Sequence, residues 1–221
     1  MPSRRRAAPA IFVLAGVNGA GKSSIGGAFI RGSGLNYFNP DEAARRIRDS
    51  TGYSQDEANS LAWEEGRRRL ESAIRSRVNY AFESTLGGHT IPALLVEANT
   101  AGMDVLVWFI GLSNPEQHIA RVRARVAAGG HTIPDQMIHK RWETSRRNII
   151  ALMPHLTELR VFDNSEEGDP AEGILPKPRL LLHSRHHRII APGPTALRAA
   201  PEWAKAIIAG ALKLQQSASP R

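Results

Sequence analysis

Short, continuous apolar runs alternate along this chain with longer stretches in which apolar positions recur every third or fourth residue. The runs are strand-sized and apolar throughout, as strands buried on both faces are, while the longer stretches carry the period of helices with one face turned inward. That alternation predicts an α/β fold built on a mostly parallel five-stranded sheet with helices on both faces. The strands are expected at 11–15, 36–38, 79–83, 104–110 and 159–162. Helices are expected at about 21–31, after Pro40, and at about 55–77, 91–101, 115–128 and 134–156. In the last of these, Ile138, Trp142, Ser145, Ile149 and Leu152 form one core-facing stripe. Pro115 and Pro134 occupy first-turn positions, where no amide donor is lost.

The pattern changes near the carboxyl end, where Pro176, Pro178, Pro192, Pro194 and Pro201 punctuate two apolar runs and an amphipathic stretch. A β-hairpin, 179–182 with 188–191, and a helix, 201–214, are expected there. His183, His186 and His187 fall in the expected turn, and with no carboxylate or cysteine beside them they read as exposed turn residues rather than metal ligands. The chain thus divides into a flexible basic tail (1–9), a main domain (10–174) and a hairpin-helix appendage packed on it (175–221).

Charge changes this picture little. The 221 residues carry a formal net charge of +8, which invites a nucleic-acid reading. Three arginines lie in the first six residues, and eight Lys/Arg against Glu202 alone lie in 175–221, so 18 Lys/Arg face 20 Asp/Glu in between. The basicity belongs to the ends and reads as solvated surface, with RNA or acidic partners as the alternative. The chain has no cysteine, which excludes disulfides and thiolate catalysis and fits an enzyme of the reducing cytoplasm. No apolar run approaches a bilayer span.

The candidate chemistry starts at Gly16-Val-Asn-Gly-Ala-Gly-Lys-Ser23, a match to G-x-x-x-x-G-K-[ST] set between an apolar strand and a helix-forming stretch. Gly16, Asn18, Gly19, Ala20 and Gly21 shape a backbone cradle for phosphates, and Ser23 and Ser24 open the following helix, whose N-terminus favours anions. Lys22 reaches the β- and γ-phosphates of ATP, and the Ser23 hydroxyl ligates Mg²⁺. The loop alone does not say which reaction follows. There is no Asn-Lys-x-Asp tetrad for guanine and no transporter signature.

Asp41 follows the second strand and Glu83 ends the third, so both reach the carboxyl edge of the sheet, where open α/β folds bind ligands. Asp41 can accept a hydroxyl proton as the nucleophile attacks. Alternatively, Asp41 or Glu42 complements a helix dipole. Glu83, with Thr85 beside it, can hold a substrate hydroxyl or the water shell of magnesium, or be a surface acid at a strand end. Arg121 and Arg125 share a helix face ahead of Gly129-Gly130-His131-Thr132-Ile133-Pro134, and Arg141, Arg146 and Arg147 follow. A glycine hinge between arginine-bearing helices suggests a lid that brings cations to the transferring phosphoryl group, against the plainer reading of solvated basic faces.

From the phosphate loop through Phe162-Asp163-Asn164-Ser165, roughly 10–165, the chain resembles the zeta-toxin-like P-loop kinases, whose better-known members phosphorylate UDP-N-acetylglucosamine. The resemblance implies Lys22 as the loop lysine, Asp41 as catalytic base, Glu83 as a substrate-binding acid and Arg125 as a phosphate-binding lid arginine. It also places Asn164 near the nucleotide base. Where toxin members carry a second lid arginine this chain has Gly130-His131, so Arg141 or His131 would substitute. The chain is closer to a Gly-Gly-His subset of the family, which carries no assigned acceptor. The expected activity is ATP- and Mg²⁺-dependent transfer of the γ-phosphate to a hydroxyl of a small molecule. The alternatives are a polynucleotide kinase or nucleic-acid-stimulated ATPase using the basic ends, and a toxin masked by a separate antitoxin protein.

Overall fold

The computed structural model describes residues 8–27, 37–166 and 177–218. Seven strands form one sheet in the order β2-β3-β1-β4-β5-β6-β7: β1 (Ala10–Ala15), β2 (Tyr37–Phe38), β3 (Tyr80–Ser84), β4 (Asp104–Gly111), β5 (Glu158–Asp163), β6 (Arg179–Arg185) and β7 (Arg188–Ala191). The first five are parallel, as expected; β6 adds to the sheet antiparallel to β5, and β7 antiparallel to β6. The expected hairpin therefore extends the sheet itself. It satisfies the free edge of β5, which would otherwise present unpaired backbone groups.

Alternate residues of β1 serve two cores. Ile11, Val13 and Ala15 join the larger one with Leu70, Leu95, Ile149 and Trp203, while Phe12 and Leu14 face Ala20, Ala81 and Ile110. Burial on both faces explains why β1 reads apolar at every position. The larger core is roofed by α2 (Gln55–Ser76), α3 (Thr90–Thr100), α5 (Asp135–Leu152) and α7 (Glu202–Ala218). Ile138, Ser145, Ile149 and Leu152 are buried and Trp142 is half-buried, so the stripe on α5 is its inward face.

Local signals set the helix ends that matter to the site. In α1 (Pro40–Thr51) the Asn39 side chain accepts from the amides of Asp41 and Glu42, and Gly52 closes the helix in the left-handed region. A capping box between Ser54 and Glu57 starts α2. Asn114 caps α4 (Pro115–Ala127), with Pro115 in its first turn; Pro134 stands one residue ahead of α5, at the cap.

Three expectations change. β6 runs to Arg185 and the hairpin turns on His186 and His187 alone, both at positive φ, as a two-residue turn requires. His183 is consequently a strand residue, half-buried, with Nε2 3.4 Å from Glu158 Oε1, and not an exposed turn residue. A further short helix, α6 (Pro194–Arg198), precedes α7. The stretch after the phosphate loop begins as a π-helical turn, Ser23–Gly27. The rest of that expected helix, Asn36 of the second expected strand, and residues 1–7 of the expected tail lie outside the described residues.

Candidate active site

The phosphate loop leaves β1 at the point where the chain can cross to either side of the sheet, since β1 lies between β3 and β4. Gly16 has φ +145°, and a Cβ there would stand 2.3 Å from the carbonyl oxygen of Ile110. At Gly19, φ is +82° and a Cβ would stand 2.7 Å from the carbonyl oxygen of His118. Only glycine combines these backbone angles with such close neighbours. Two carbonyls of the loop are held from outside it: His118 Nδ1 bonds Asn18 O at 2.9 Å, and Asn164 Nδ2 donates to Ala20 O at 2.9 Å. Drawing carbonyls outward leaves the loop free to turn amides toward an anion. Lys22 Nζ donates to Gly16 O at 2.9 Å, folding back over the loop.

His118 is fully buried, and burial, the largest influence, pushes its pKa down to about 4. It is therefore neutral near pH 7, and with Asn18 O as acceptor its proton sits on Nδ1. Its neighbour Ile119 packs with Val17, Val122, Ile133 and Ile138 in a small apolar cluster that joins the loop to α4 and α5.

Beside the loop lies a knot of oxygen atoms. Ser23 Oγ donates to Glu83 Oε1 at 2.8 Å, Asn39 Nδ2 donates to the same oxygen at 3.2 Å, and Tyr37 Oη donates to it as well. Glu83 and Asn39 are both buried. Asn39 thus does two jobs: its oxygen starts α1, and its amide holds Glu83 against Ser23.

Asp41 stands in the first turn of α1, half-exposed, with Oδ2 3.3 Å from Arg125 Nη1 on α4. Arg125 Nε and Nη2 are buried without an acceptor among the described residues. Past Arg125 the chain turns through Gly129, at φ +92°, and Gly130, whose amide bonds Arg125 O at 2.9 Å, before entering α5. Arg141 on α5 reaches the loop, its Nη1 donating to Asn18 Oδ1 at 2.7 Å. Burial lowers the pKa of Arg141, partly offset by Asp41. His131 is also lowered by burial first, with Asp41 pulling the other way.

These groups surround one cavity of about 480 Å³, lined by Asn18, Lys22, Asp41, Glu83, Thr85, His131 and Arg141 among others. Ser23 and Arg125 meet it through Glu83 and Asp41. Ser24 is exposed, Arg121 points to the carbonyl of Glu166 at 3.4 Å, and Asn164 lies beneath the loop, so these three are off the cavity wall. Tyr37, Asn39 and His118 are part of the site although no catalytic motif singles them out. For Asn39 a signal existed, since Asn-Pro-Asp-Glu is a helix-start pattern. The other two carry none.

A glycine-rich loop between a central parallel strand and a helical turn, with acids at neighbouring strand ends, defines the P-loop kinase class of α/β fold. The chain belongs to the Zeta toxin family, whose profile matches residues 1–168. An uncharacterised protein of Haemophilus influenzae is 34% identical over 70 residues, 32% of this chain and 50% of that relative. The match therefore spans half of that relative's length. Among solved structures, the AvrRxo1-ORF1:AvrRxo1-ORF2 complex with sulphate ions aligns over 97% of this chain and 77% of its own, with TM-score 0.62 and 15% identity. The same pair with ATP gives TM-score 0.60 and 17% identity over 97% of this chain and 65% of its own. The PezAT toxin-antitoxin system of Streptococcus pneumoniae gives TM-score 0.51 and 15% identity over 73% of this chain and 71% of its own. At these identities the structural matches establish the fold.

Proposed function

We propose that this protein transfers the γ-phosphate of ATP to a hydroxyl of a small molecule. The observation that carries the reading is Arg125: two of its nitrogens, Nε and Nη2, are buried without an acceptor among the described residues, while Nη1 bonds Asp41, which lines a cavity floored by the phosphate loop. Buried guanidinium donors without acceptors are costly, and a phosphoryl group supplies acceptors in the matching planar geometry.

In this reading Lys22 and the loop amides hold the phosphates, and Arg125 and Arg141 approach the γ-phosphoryl group from the lid. Asp41 Oδ1 has no partner among the described residues and takes the proton of the acceptor hydroxyl. The acceptor oxygen forms its bond to phosphorus as the bond to the bridging oxygen breaks, and ADP leaves with that electron pair. Ser23 and Glu83 offer the hard oxygen ligands that suit Mg²⁺, directly or through water, and their contact at 2.8 Å brings both to one point. Bound there, the ion would neutralise charge on the phosphates. The matched AvrRxo1 and PezAT structures are of paired proteins, and a separate antitoxin partner for this chain is part of the same proposal.

The test is incubation with γ-labelled ATP and a metabolite extract. A labelled phosphomonoester identified by mass spectrometry supports the reading. Label recovered only as inorganic phosphate reduces the protein to an ATPase.

A further inference from the structure

The cavity continues away from the phosphate loop along one face of α2. Asp56, Asn59, Trp63 and Arg67 line it, spaced at three, four and four residues, hence on one side of that helix. This wall is anchored at Gly66, where a Cβ would lie 2.8 Å from the Phe38 ring, at the level of the strand end that precedes Asn39. From there α2 rises about 15 Å to Asp56, at 1.5 Å per residue. The segment leading into α5 and the first turn of α5 contribute Ile133, Pro134 and Met137 to the same cavity. Trp63 is 46% exposed and Met137 39%, both large apolar side chains facing one cavity. Exposed apolar side chains converging on a cleft mark a place where a ligand covers them.

Charge narrows the ligand. Four basic side chains line the cavity: Lys22, Arg67, His131 and Arg141. Lys22 and Arg141 are bonded to the phosphate loop, at Gly16 O and Asn18 Oδ1. Arg67 is held between Glu64, at 2.8 Å, and Glu71. His131 is lowered by burial and is neutral near pH 7. Arg48 on α1 reaches the start of α2 but is engaged by Gln55 Oε1 at 2.8 Å and Asp49 at 3.6 Å. Asp56, by contrast, pairs with no cation among the described residues. The far end of the cavity is thus negative and apolar, unsuited to a phosphate-bearing acceptor.

We propose that the acceptor is a ring-bearing hydroxyl compound without phosphate, neutral or amine-bearing, whose ring lies between Trp63 and Met137 and whose far end faces Asp56. This rests on the kinase reading for the word acceptor, but the class of ligand is tested by binding alone. The probes are glucosamine, N-acetylglucosamine, N-acetylglucosamine 1-phosphate and UDP-N-acetylglucosamine, titrated into the full chain with the loop saturated by Mg²⁺ and ATPγS. The readout is tryptophan fluorescence, with Trp63→Phe as the blank. The unphosphorylated sugars should bind at least about tenfold tighter than the phosphorylated ones, and Asp56→Lys should reverse that order, because like charges across a contact are costly. Tighter binding of the phosphorylated probes to the wild type, an unchanged ratio in Asp56→Lys, or no signal dependent on Trp63 from any probe would each overturn the proposal. Transfer is read separately from the same mixtures with ATP. Preferential binding without transfer removes the kinase reading and leaves the ligand class standing.

Discussion

Arg125 Nη1 and Asp41 Oδ2 lie 3.3 Å apart across 84 residues of sequence, joining the helix before the glycine hinge to the first turn after β2. Half-exposed pairs of this kind add little to stability, so the contact matters for placement. It engages one oxygen of Asp41 and leaves the other for the acceptor in the proposed reaction. Arg125→Ala should lower kcat by about 10²- to 10³-fold, the usual cost of one donor at a developing charge, with a smaller change in ATP affinity. Arg125→Lys should recover only part of the rate, because an ammonium cannot hold carboxylate and phosphate at once in fixed geometry. Steady-state kinetics with varied ATP separate the two effects.

Ser23 and Glu83 share a hydrogen bond that Asn39 and Tyr37 reinforce on the same carboxylate oxygen. Glu83→Gln should raise the Mg²⁺ concentration for half-maximal transfer at least about tenfold, as loss of a supporting carboxylate commonly does. Chelation by EDTA should abolish transfer, and added Mg²⁺ should restore it. A Mg²⁺ titration unchanged in Glu83→Gln would place that carboxylate on the acceptor instead.

His118 is the buried histidine whose pKa is pushed down to about 4 from 6.5, chiefly by burial. Its neutral form is the one the fold accommodates, so between those values the unfolded chain binds a proton that the folded chain does not. Stability should therefore fall as pH drops from about 6.5 to about 4 and level off below, a loss of roughly 3 kcal/mol at 1.4 kcal/mol per unit. Urea unfolding at a series of pH values should show that loss in the wild type and a smaller one in His118→Asn. Because His118 also holds Asn18 O, His118→Leu should weaken ATP binding, whereas His118→Asn, which keeps a donor, should weaken it less.

Gly111 ends β4 under the ring of Trp203 on α7, and a Cβ there would stand 2.4 Å from the ring edge. Trp203 is buried in the large core. Gly111→Ala should destabilise by about 2 kcal/mol through overpacking, lowering Tm by about 6 °C, with unchanged ATP affinity per folded molecule. Calorimetry beside nucleotide titration checks both parts.

The strands β1 to β5 and their covering helices were legible because burial on two faces writes unbroken apolar runs, and helical packing writes a period near 3.6. The loop was legible because a phosphate cradle requires glycine at fixed spacing. Asp41 and Glu83 could be placed at one sheet edge by topology alone, and Arg141 on the helix that follows the glycine hinge. What joins them could not. The buried contact of His118 with Asn18 O spans 100 residues, and nothing in the residues near His118 marks it. Tyr37 looks like any strand aromatic until its hydroxyl is seen on Glu83. His183 falls in the expected turn because the apolar run stops at Leu182, whereas the hairpin register continues to Arg185. Pairing partners set that register, and the chain does not display them locally.

The central claim is that Asp41 accepts a proton during phosphoryl transfer, and Asp41→Asn tests it most directly. The substitution keeps the size of the side chain and leaves the phosphate loop untouched. ATP affinity measured by calorimetry should stay within about threefold of wild type, while transfer from γ-labelled ATP to a metabolite extract should fall by about 10²- to 10⁴-fold, the usual contribution of a positioned base. Transfer by Asp41→Asn at the wild-type rate, with ATP affinity unchanged, would contradict the account.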